Sequence, residues 1–383
     1  MQDIVAQLTM LWNGAINYGV PFVVTLSIVV FVHEYGHYWV ARRCGVKIVS
    51  FSIGMGPEIF GRTDKKGTRW KFSLLPIGGY VQMFGDADPS SATVSDDAKA
   101  LSAEDRSVAF FAQNVWKRLA IIAAGPGSNY LFAFVVLLGM FTIFGKPVQL
   151  PIFDSVTQGS AAEQAGLLPG DKVVSVDGDK ITSFYELLNK TELNLGTPMT
   201  LVVERKGELK TIAVTPRIIE TTDRLGNHVK KPRIGVTSMP KTERYESISP
   251  LQAVGETFAY IGGFTRDTIT VISQMIMGTR STEDLGGALR IAKISGEIAQ
   301  TRDIGWFVEF LVKISLSLGF INLMPVPLLD GGHIFFYLIE AVRRRPLPER
   351  FQEYAARLGL GLVLSLMAFT LWNDMIFLKW IPK

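Results

Sequence analysis

The amino-acid sequence predicts an α-helical membrane protein with four transmembrane helices, a membrane-associated β-hairpin and a small α+β domain. Hydrophobic residues make up 48% of the 383 residues and charged residues only 19%, and the mean hydropathy is +0.25. Four apolar stretches are long enough to cross a bilayer, at residues 21–40, 119–144, 307–324 and 358–378. Between the second and third stretches, short strand patterns and turn residues indicate a domain outside the membrane.

The first apolar stretch, which we assign to a segment at residues 1–47, contains the sequence HEYGH. His33 and His37 are one helical turn apart and can bind the same ion, and Glu34 lies about 100° further round the helix, within reach of a water on that ion. An ionisable residue at the centre of a membrane helix costs roughly 2.5 to 3.5 kcal/mol. A bound divalent metal would compensate for this cost, whereas the alternative is a soluble core helix with a hydrogen-bonded histidine pair.

The charges and the cysteine count exclude other classes of protein. A single cysteine, Cys44, allows no intramolecular disulfide and no cysteine pair for a metal, and four histidines are too few for a histidine-rich di-iron centre. The net charge of +4 does not indicate nucleic-acid binding, because the position of the cations matters more than their sum. Arg42, Arg43 and Lys47 follow the first helix and predict that this end faces the cytoplasm. The absence of Lys and Arg from residues 1–17 argues against a cleaved signal peptide.

Residues 48–84 predict a β-hairpin, because β-forming residues and glycines surround a polar turn at residues 64–67. Glycines such as Gly54 and Gly56 would weaken a free-standing sheet. The strands therefore either pack against other protein or accept a further strand, as proteases do with extended substrates. Residues 86–105 are rich in Asp, Ser and Ala, and we predict a cytoplasmic linker at residues 85–115.

The second transmembrane segment, at residues 116–147, contains GPGSNY at residues 125–130. The glycines and Pro126 permit close packing, and Asn129 is a polar group at membrane depth. One interpretation is a close approach to the first helix near the metal. The other is a packing face of small residues.

Residues 148–217 predict a soluble α+β domain with strands at 152–156, 199–205 and 211–215 and a helix that begins near Ser183. The segment AGLLPGDKVVSVDG resembles the PDZ domains that accompany proteases. Such domains capture extended peptides or chain ends, and a steric role as a spacer is the alternative. We interpret residues 218–305 as a periplasmic or interfacial amphipathic segment, since charges interrupt the apolar pattern of residues 251–277.

The third transmembrane segment, at residues 306–342, contains NLMPVPLLDGGH at residues 322–333. Pro325 and Pro327 break the helix and free backbone groups that membrane proteins tolerate only beside protein or a water-filled cavity. Asp330 places a carboxylate at membrane depth, on the same side as HEYGH. With His33 and His37 it would complete a three-ligand site with an open fourth position, as in catalytic zinc sites; His333 is an alternative ligand. The fourth transmembrane segment is predicted at residues 343–383.

Over most of its length the chain resembles the bacterial site-2 proteases, the RseP-type intramembrane zinc metalloproteases of regulated intramembrane proteolysis. HEYGH, the glycine-rich hairpin, GPGSN, a PDZ-like segment and NLMPVPLLDGG carry the resemblance. It implies Zn²⁺ as the cofactor and Glu34 as the catalytic acid and base. It also implies that the hairpin re-enters the membrane and engages the substrate. Better-known members have two tandem PDZ domains, whereas this sequence predicts one.

The resemblance also implies a set of ligand and substrate residues. The implied zinc ligands are His33, His37 and Asp330. Asn322 is implied to position the substrate, and we extend the substrate-binding set to Pro325, Pro327, Asn129, Gly54 and Gly56.

The implied partners are single-span membrane proteins already shortened on the outer side, such as anti-sigma factors, or remnant signal peptides. A peptide or truncated substrate end is expected at the PDZ domain, membrane lipid surrounds the helices, and no nucleic acid is expected. The protein is expected in the bacterial inner membrane, with the active site towards the cytoplasm and the PDZ domain in the periplasm. Two other functions remain: a catalytically silent PDZ scaffold, which retention of Glu34 disfavours, and a metal transporter, which would spread polar residues over several helices.

Overall fold

A computed structural model describes residues 14–85, 102–222, 228–238 and 243–378. The chain divides into two compact units, one made of residues up to 136 together with 283–383, and one made of residues 137–282. The predicted features of residues 1–13 lie outside the described residues, and so do residues 86–101 of the linker that was predicted at residues 85–115.

The first unit begins with a π-helical turn at Ala15–Gly19 that continues into helix α1, Val20–Arg43. Pro21 stands in the first turn of α1, directly after the π-helical turn, and has no N–H to donate to a carbonyl of that turn. The helix ends at Arg43, and Gly45 follows with a φ of +86°, a left-handed conformation that glycine adopts without strain. Arg42 and Arg43 lie in the last turn, where cations complement the helix dipole.

Strands β1, Ile48–Thr63, and β2, Arg69–Met83, form more than the simple hairpin that the sequence predicted. Both strands bend, so that residues 48–53 pair with 79–83 on one side and residues 50–53 pair with 69–72 on the other. Residues 60–63 of β1 then cover the outer side of residues 69–72. Gly54 and Gly56, with φ of +87° and +86°, lie at the bend of β1. We call this doubled-over hairpin the folded sheet.

Two helices follow the folded sheet. The short helix α2, Ala103–Val108, is capped by Ser102, which accepts a hydrogen bond from the backbone N–H of Asp105. The long helix α3, Val115–Ile143, contains Pro126 in its interior. Pro126 cannot donate to the carbonyl four residues earlier, so one helical hydrogen bond is missing in this turn.

The second unit is built around a four-stranded antiparallel sheet with the order β6-β5-β7-β8. Its elements are β3 (Lys146–Gln149), β4 (Phe153–Val156), α4 (Ala161–Gln164), β5 (Lys172–Val176), β6 (Asp179–Lys180), α5 (Phe184–Leu193), β7 (Met199–Arg205) and β8 (Glu208–Val214). Alternate residues of the strands point inward, and Phe153, Leu187 and Leu201 are fully buried in one core.

The α+β domain extends beyond the predicted end at residue 217. Four more strands follow: β9 (Arg217–Thr222), β10 (His228–Arg233), β11 (Val236–Ser238) and β12 (Glu243–Glu246). β11 pairs with β4, β12 pairs with β3, and Ile234 is buried in the core of the domain. These strands are short and polar, so the sequence did not separate them from the predicted amphipathic segment at 218–305.

A capping box formed by Ser249 and Gln252 begins helix α6, Pro250–Ile276. α6 is absent from the candidate membrane spans of the described residues. Two of the charged residues in α6 are paired: Glu256 with Lys146 at 2.8 Å, and Asp267 with Asn189.

The chain then completes the first unit with four helices, α7 (Ala288–Thr301), α8 (Ile304–Leu323), α9 (Asp330–Arg343) and α10 (Glu349–Phe377). Among the described residues, four helices are long and apolar enough to cross a membrane: the one at Ala15–Arg43, α3, α8 and most of α10. The predicted class, a four-span helical membrane protein with β structure, is confirmed.

Candidate active site

His33 and His37 lie on one face of α1, and both are only 7% exposed. Their Nε2 atoms are 3.3 Å apart. Asp330, the first residue of α9, brings its Oδ2 to 3.0 Å from His33 Nε2 and to 3.5 Å from His37 Nε2. Three ligand atoms from two helices that are distant in sequence therefore converge on one point, and they form the one such group found among the described residues.

The donor set fits a zinc ion. Atoms bound about 2.0–2.1 Å from a tetrahedral zinc lie about 3.3 Å from one another, and the three separations of 3.0, 3.3 and 3.5 Å surround that value. The Oδ2 atom of Asp330 is buried and accepts no hydrogen bond of good geometry within the described part of the chain. A buried carboxylate oxygen without such a partner would be costly unless a cation binds it.

The second nitrogen of each histidine is also engaged. The Nδ1–H of His37 donates to the backbone carbonyl of Ile121 in α3 at 2.9 Å, which leaves Nε2 free to bind a metal. His33 Nδ1 lies 3.4 Å from the side-chain nitrogen of Asn129, also in α3. Helix α3 therefore supports both imidazoles from behind.

Small residues let α3 approach α1 this closely. A Cβ on Gly36 would overlap the carbonyl oxygen of Ala124 and the side chain of Ser128, and a Cβ on Gly125 would overlap the ring of His37. Ser128 donates to the carbonyl of Val32 at 2.7 Å, or to that of Gly125 at the same distance. The geometry combines the two interpretations of GPGSNY, because the packing face of small residues lies against His33 and His37.

The loop after α8 places Asp330. Leu328 has a φ of +78°, and the chain turns there into α9. A Cβ on Gly331 would overlap the backbone of Met324, and one on Gly332 would overlap the backbone of Val326. The two glycines of the LDGG sequence therefore let the loop fold back over the first turn of α9, with Asp330 directed at the histidines.

Glu34 is partly buried and lies beside the folded sheet. A Cβ on Gly79 of β2 would come within 3.1 Å of Glu34 Cγ and would overlap Val30. Glu34 is also close enough to both histidines and to Asp330 for their charges to interact. The carboxylate, the three ligand atoms and a strand of the folded sheet thus lie in one neighbourhood.

The structure places the other predicted site residues as follows. Asn322 is half-buried in the last turn of α8, Pro325 is exposed in the loop, and the carbonyl of Pro327 lies against Gly359 of α10. Asn129 is fully buried. Gly54 and Gly56 shape the bend of β1. His333, the alternative ligand, is outside the converging group, with its ring centroid 6.3 Å from that of Tyr337.

The family of this chain is shown by the comparison of its sequence with those of known proteins. The sequence profile of Peptidase family M50 matches residues 21–366, which include both HEYGH and the LDGG sequence. The chain belongs to peptidase family M50. As an M50 peptidase it is a zinc metalloendopeptidase and a membrane protein, and proteolysis within the membrane is general for the family.

Relatives of this M50 peptidase cover nearly its whole length. A candidate zinc metalloprotease of Agrobacterium fabrum is 42% identical over 94% of this chain and 95% of its own. A candidate zinc metalloprotease of Rhizobium meliloti is 39% identical over 95% of this chain and 98% of its own. The metalloprotease MmpA of Caulobacter vibrioides is 33% identical over 93% of this chain and 94% of its own.

Part of this M50 peptidase is also similar to a solved domain. The PDZ domain of an SdrC-like protein from Listeria monocytogenes shares 20% identity, with a TM-score of 0.20, over 24% of this chain and 87% of that one.

Two groups that contact the histidines of the candidate site were not predicted from the sequence. The backbone carbonyl of Ile121 carries no signal in a sequence, because every residue has one. Gly36 lies within HEYGH and could have been noticed, since a glycine in a membrane helix next to ligands often marks a close helix contact.

Proposed function

We propose that this protein hydrolyses peptide bonds within the transmembrane segments of single-span membrane proteins, with His33, His37 and Asp330 holding the zinc ion and Glu34 acting as acid and base. The observation that supports this best is the convergence of Asp330 on His33 and His37, beside Glu34, on α1, a helix that is apolar enough to cross a membrane. A transporter or a silent scaffold does not require this carboxylate.

The chemistry of the site follows from the positions of its residues. When bound, zinc supplies a Lewis acid that polarises the scissile carbonyl and makes a water molecule more acidic. Glu34 accepts the proton of the attacking water and returns it to the nitrogen of the leaving amine. Asp330, His33 and His37 stay unprotonated at their ligating atoms, and the contact between His37 Nδ1 and Ile121 keeps the proton of that ring on the far side.

Peptide bonds in a transmembrane helix are shielded by their own hydrogen bonds, so a substrate has to unwind before it reacts. Residues 79–83 of β2 pair with residues 48–53 on one side, and no further strand pairs with them within the described residues. Gly79 stands beside Glu34. An unwound substrate added along this edge would regain backbone hydrogen bonds next to the catalytic carboxylate.

The outer part of the folded sheet supports its insertion into the membrane. Large apolar side chains are exposed there: Met55, Ile59, Phe60, Leu74 and Leu75 are each 48% to 72% exposed. An apolar surface of this kind is unfavourable in water and suits lipid or a transmembrane substrate. In this scheme Gly54 and Gly56 shape the sheet, and Asn322, Pro325 and Pro327 line the approach from the α8 loop.

The burial of Asn129 favours a different role from the predicted contact with substrate. Its side chain is fully buried against His33. We therefore assign Asn129 to positioning a zinc ligand.

The charge distribution and the family support a location and a class of substrate for the proposed activity. Arg42, Arg43 and Lys47 support a cytoplasmic position for the metal end of α1, in a bacterial inner membrane. The domain at residues 146–246 then lies in the periplasm, where its PDZ-like part binds a peptide end or excludes long substrates by size. Substrates already shortened on that side, such as anti-sigma factors or remnant signal peptides, fit this arrangement.

Cleavage of a single-span reporter tests the proposal. Purified full-length protein in detergent is incubated with a reporter whose outer domain has been removed, and the products are mapped by mass spectrometry. We expect wild type to cut within the apolar segment, and Glu34→Gln to bind zinc stoichiometrically while cleaving at least about 100-fold more slowly. Asp330→Ala and added chelator should remove both zinc and cleavage.

The zinc content separates the outcomes. Equal cleavage by wild type and Glu34→Gln would exclude Glu34 as acid and base. Stoichiometric zinc without cleavage of several reporters, in detergent and in lipid, would instead favour the scaffold or transport functions.

A further inference from the structure

A cleft of about 500 Å³ opens where α1 ends, beside the turn between β1 and β2. His33, His37 and Asp330 are not among the residues that line this cleft. Its lining combines cations with aromatic rings. Its charged and aromatic lining residues are Tyr38, Trp39, Arg42, Arg43, Lys47 and Lys66.

The cations of this cleft come from three elements. Arg42 and Arg43 belong to the last turn of α1, Lys47 to the connection into β1, and Lys66 to the turn between the two strands. The helix dipole accounts for cations at the end of α1. It does not account for Lys66, which reaches the same cleft from a different element.

Within the described part of the chain, none of the four cations forms an ion pair with a carboxylate. Asp64, on the same turn as Lys66, interacts with Arg42 only over a longer range. Its Oδ1 accepts the backbone N–H groups of Lys66 and Thr68 at 2.8 and 3.0 Å, and its Oδ2 accepts Trp70 Nε1–H at 3.2 Å. Because both oxygens of Asp64 are engaged in these hydrogen bonds and its charge is only one, the four cations leave the cleft with an excess of positive charge.

Two of the cations are held in place by aromatic rings. The guanidinium carbon of Arg43 lies 3.6 Å from the ring centroid of Trp39, and Lys47 Nζ lies 4.7 Å from the centroid of Phe84. Stacking fixes the plane of a guanidinium and leaves its N–H donors directed outward. The donors are therefore arranged before an anion arrives.

The length of the apolar stretch in α1 predicts that the cleft lies at the depth of the lipid phosphates. A hydrocarbon core about 30 Å thick takes up about 20 helical residues, which is the length of the apolar stretch 21–40. Tyr38 and Trp39 then lie in the aromatic belt, and the cations that follow reach the level of the headgroups. Basic clefts at this level bind anionic headgroups.

We propose that this cleft binds the phosphate of an anionic phospholipid headgroup. The phosphate is contacted by Arg42 and Arg43 from α1 and by Lys66 from the turn of the folded sheet. The lipid thereby connects the end of the metal-binding helix to the folded sheet, and its acyl chains run along the apolar surface of α1.

Native mass spectrometry of the purified full-length protein tests the site. The protein in detergent is titrated with phosphatidylglycerol or phosphatidylcholine, and the number of retained lipids is counted. We expect wild type to retain one phosphatidylglycerol more tightly than phosphatidylcholine. Arg42→Gln/Arg43→Gln should weaken this binding by more than about tenfold, and Lys66→Gln by a smaller factor.

Two matched controls separate a built site from general charge. Lys65→Gln removes the same charge from the same turn, but Lys65 is not among the residues that line the cleft. Arg344→Gln/Arg345→Gln removes two exposed arginines after α9. Both controls should retain wild-type lipid binding. All variants should keep full zinc content, which confirms that the protein is folded.

Three results would overturn the proposal. Equal retention of the two lipids would show that the headgroup charge is not recognised. Equal losses in Lys65→Gln and Lys66→Gln would reduce the effect to nonspecific attraction. Displacement of phosphatidylglycerol by inorganic phosphate at the same concentration would assign the cleft to a soluble phosphate compound and not to lipid.

Discussion

Gly125 of α3 lies directly against the imidazole of His37: a methyl group at residue 125 would overlap Nε2 and Cε1 of that ring and come within 2.9 Å of Nε2 of His33. Gly125, which has no side chain, therefore determines whether the Nε2 atoms of His33 and His37 can lie side by side. The backbone of α3 lines the back of the candidate metal site, and it leaves room for the hydrogen of glycine but not for a methyl group at residue 125.

We expect Gly125→Ala to abolish stoichiometric zinc binding. The added methyl group would push the ring of His37 away from Ile121 and from the point on which the ligands converge, because backbone on α3 cannot yield as a flexible side chain can. Zinc per protein, measured by atomic absorption after purification in detergent, checks this.

Gly127→Ala is the matched control, because a Cβ at residue 127 has nothing within 4 Å. It adds the same methyl group to the same helix two residues away. It should keep wild-type zinc content. Loss of zinc in both variants would mean that α3 is sensitive to any glycine substitution, and the specific contact with His37 would not be the reason.

Asn129→Ala should lower the affinity for zinc about 10- to 100-fold, the usual cost of removing the partner of a ligating histidine. When His33 Nε2 binds a metal, the ring proton stands on Nδ1 and needs an acceptor. The amide of Asn129 supplies one if it is rotated by half a turn, which directs Oδ1 at Nδ1. This oxygen is buried and otherwise without a partner in the described part of the chain.

Asn129→Asp distinguishes positioning from packing. A carboxylate accepts a hydrogen bond from His33 Nδ1 in either orientation, so this variant should bind zinc at least tenfold more tightly than Asn129→Ala. Competition with a chromophoric chelator gives both affinities. Equal affinities for the alanine and aspartate variants would show that Asn129 only fills space.

Much of the geometry of this candidate site was predictable because the residues that converge there lie in short motifs. HEYGH on an apolar helix indicated two ligands and a carboxylate, and two prolines before Asp330 indicated a broken helix that could direct the third ligand inward. The four spans were predicted as well, because about 20 consecutive apolar residues match the thickness of the hydrocarbon core. These features are local, so a single sequence reveals them.

The features that were not predicted depend on distant pairing. The bends of β1 and β2 fold a hairpin into a sheet four segments wide, and only contacts 20 or 30 residues apart select this arrangement over a straight hairpin. Strands β9–β12 complete a domain whose predicted end was residue 217. The prediction stopped too early because edge strands such as β11 are stabilised by pairing with β4 and not by an apolar pattern of their own.

Asp171→Asn should destabilise the domain at residues 146–246 at neutral pH. Asp171 is fully buried, and both of its oxygens accept hydrogen bonds from Arg205 at 2.7 Å. Burial alone would raise the pKa of this carboxyl, but the hydrogen bonds from Arg205 and from the backbone of Leu168 outweigh burial and hold the pKa below its usual value. We expect a loss of about 2 kcal/mol in the free energy of unfolding, measured by pulse proteolysis of the full-length protein in urea.

The pH dependence of this loss has a defined sign. Because the pKa is lower in the folded state, the stabilisation is fully present above the unfolded pKa of about 3.9 and disappears as the pH falls through the folded value. The gap between wild type and Asp171→Asn should therefore close in acid. Glu204→Gln removes a partner from the exposed pair with Lys172 and should cost less than about 1 kcal/mol. A gap that stays constant down to pH 2 would contradict the assignment.

Asp374 acts as the N-terminal cap of a helix to which it does not belong. It stands in α10, is fully buried, and accepts backbone N–H groups of Gly287, Leu289 and Arg290 at 2.9 to 3.1 Å at the start of α7. Asp374→Ala would leave these donors without their acceptor, at a cost of about 1–3 kcal/mol for a buried group, so hydrogen exchange at residues 287–290 should accelerate at least tenfold.

Asp374→Asn keeps one acceptor oxygen, and its exchange rate at residues 287–290 should lie between the rates of Asp374→Ala and wild type. Glu353→Ala, in the exposed pair with Arg357 of the same helix, should leave exchange in α7 unchanged; acceleration there in Glu353→Ala as well would indicate general loosening of α10 and not the loss of a cap.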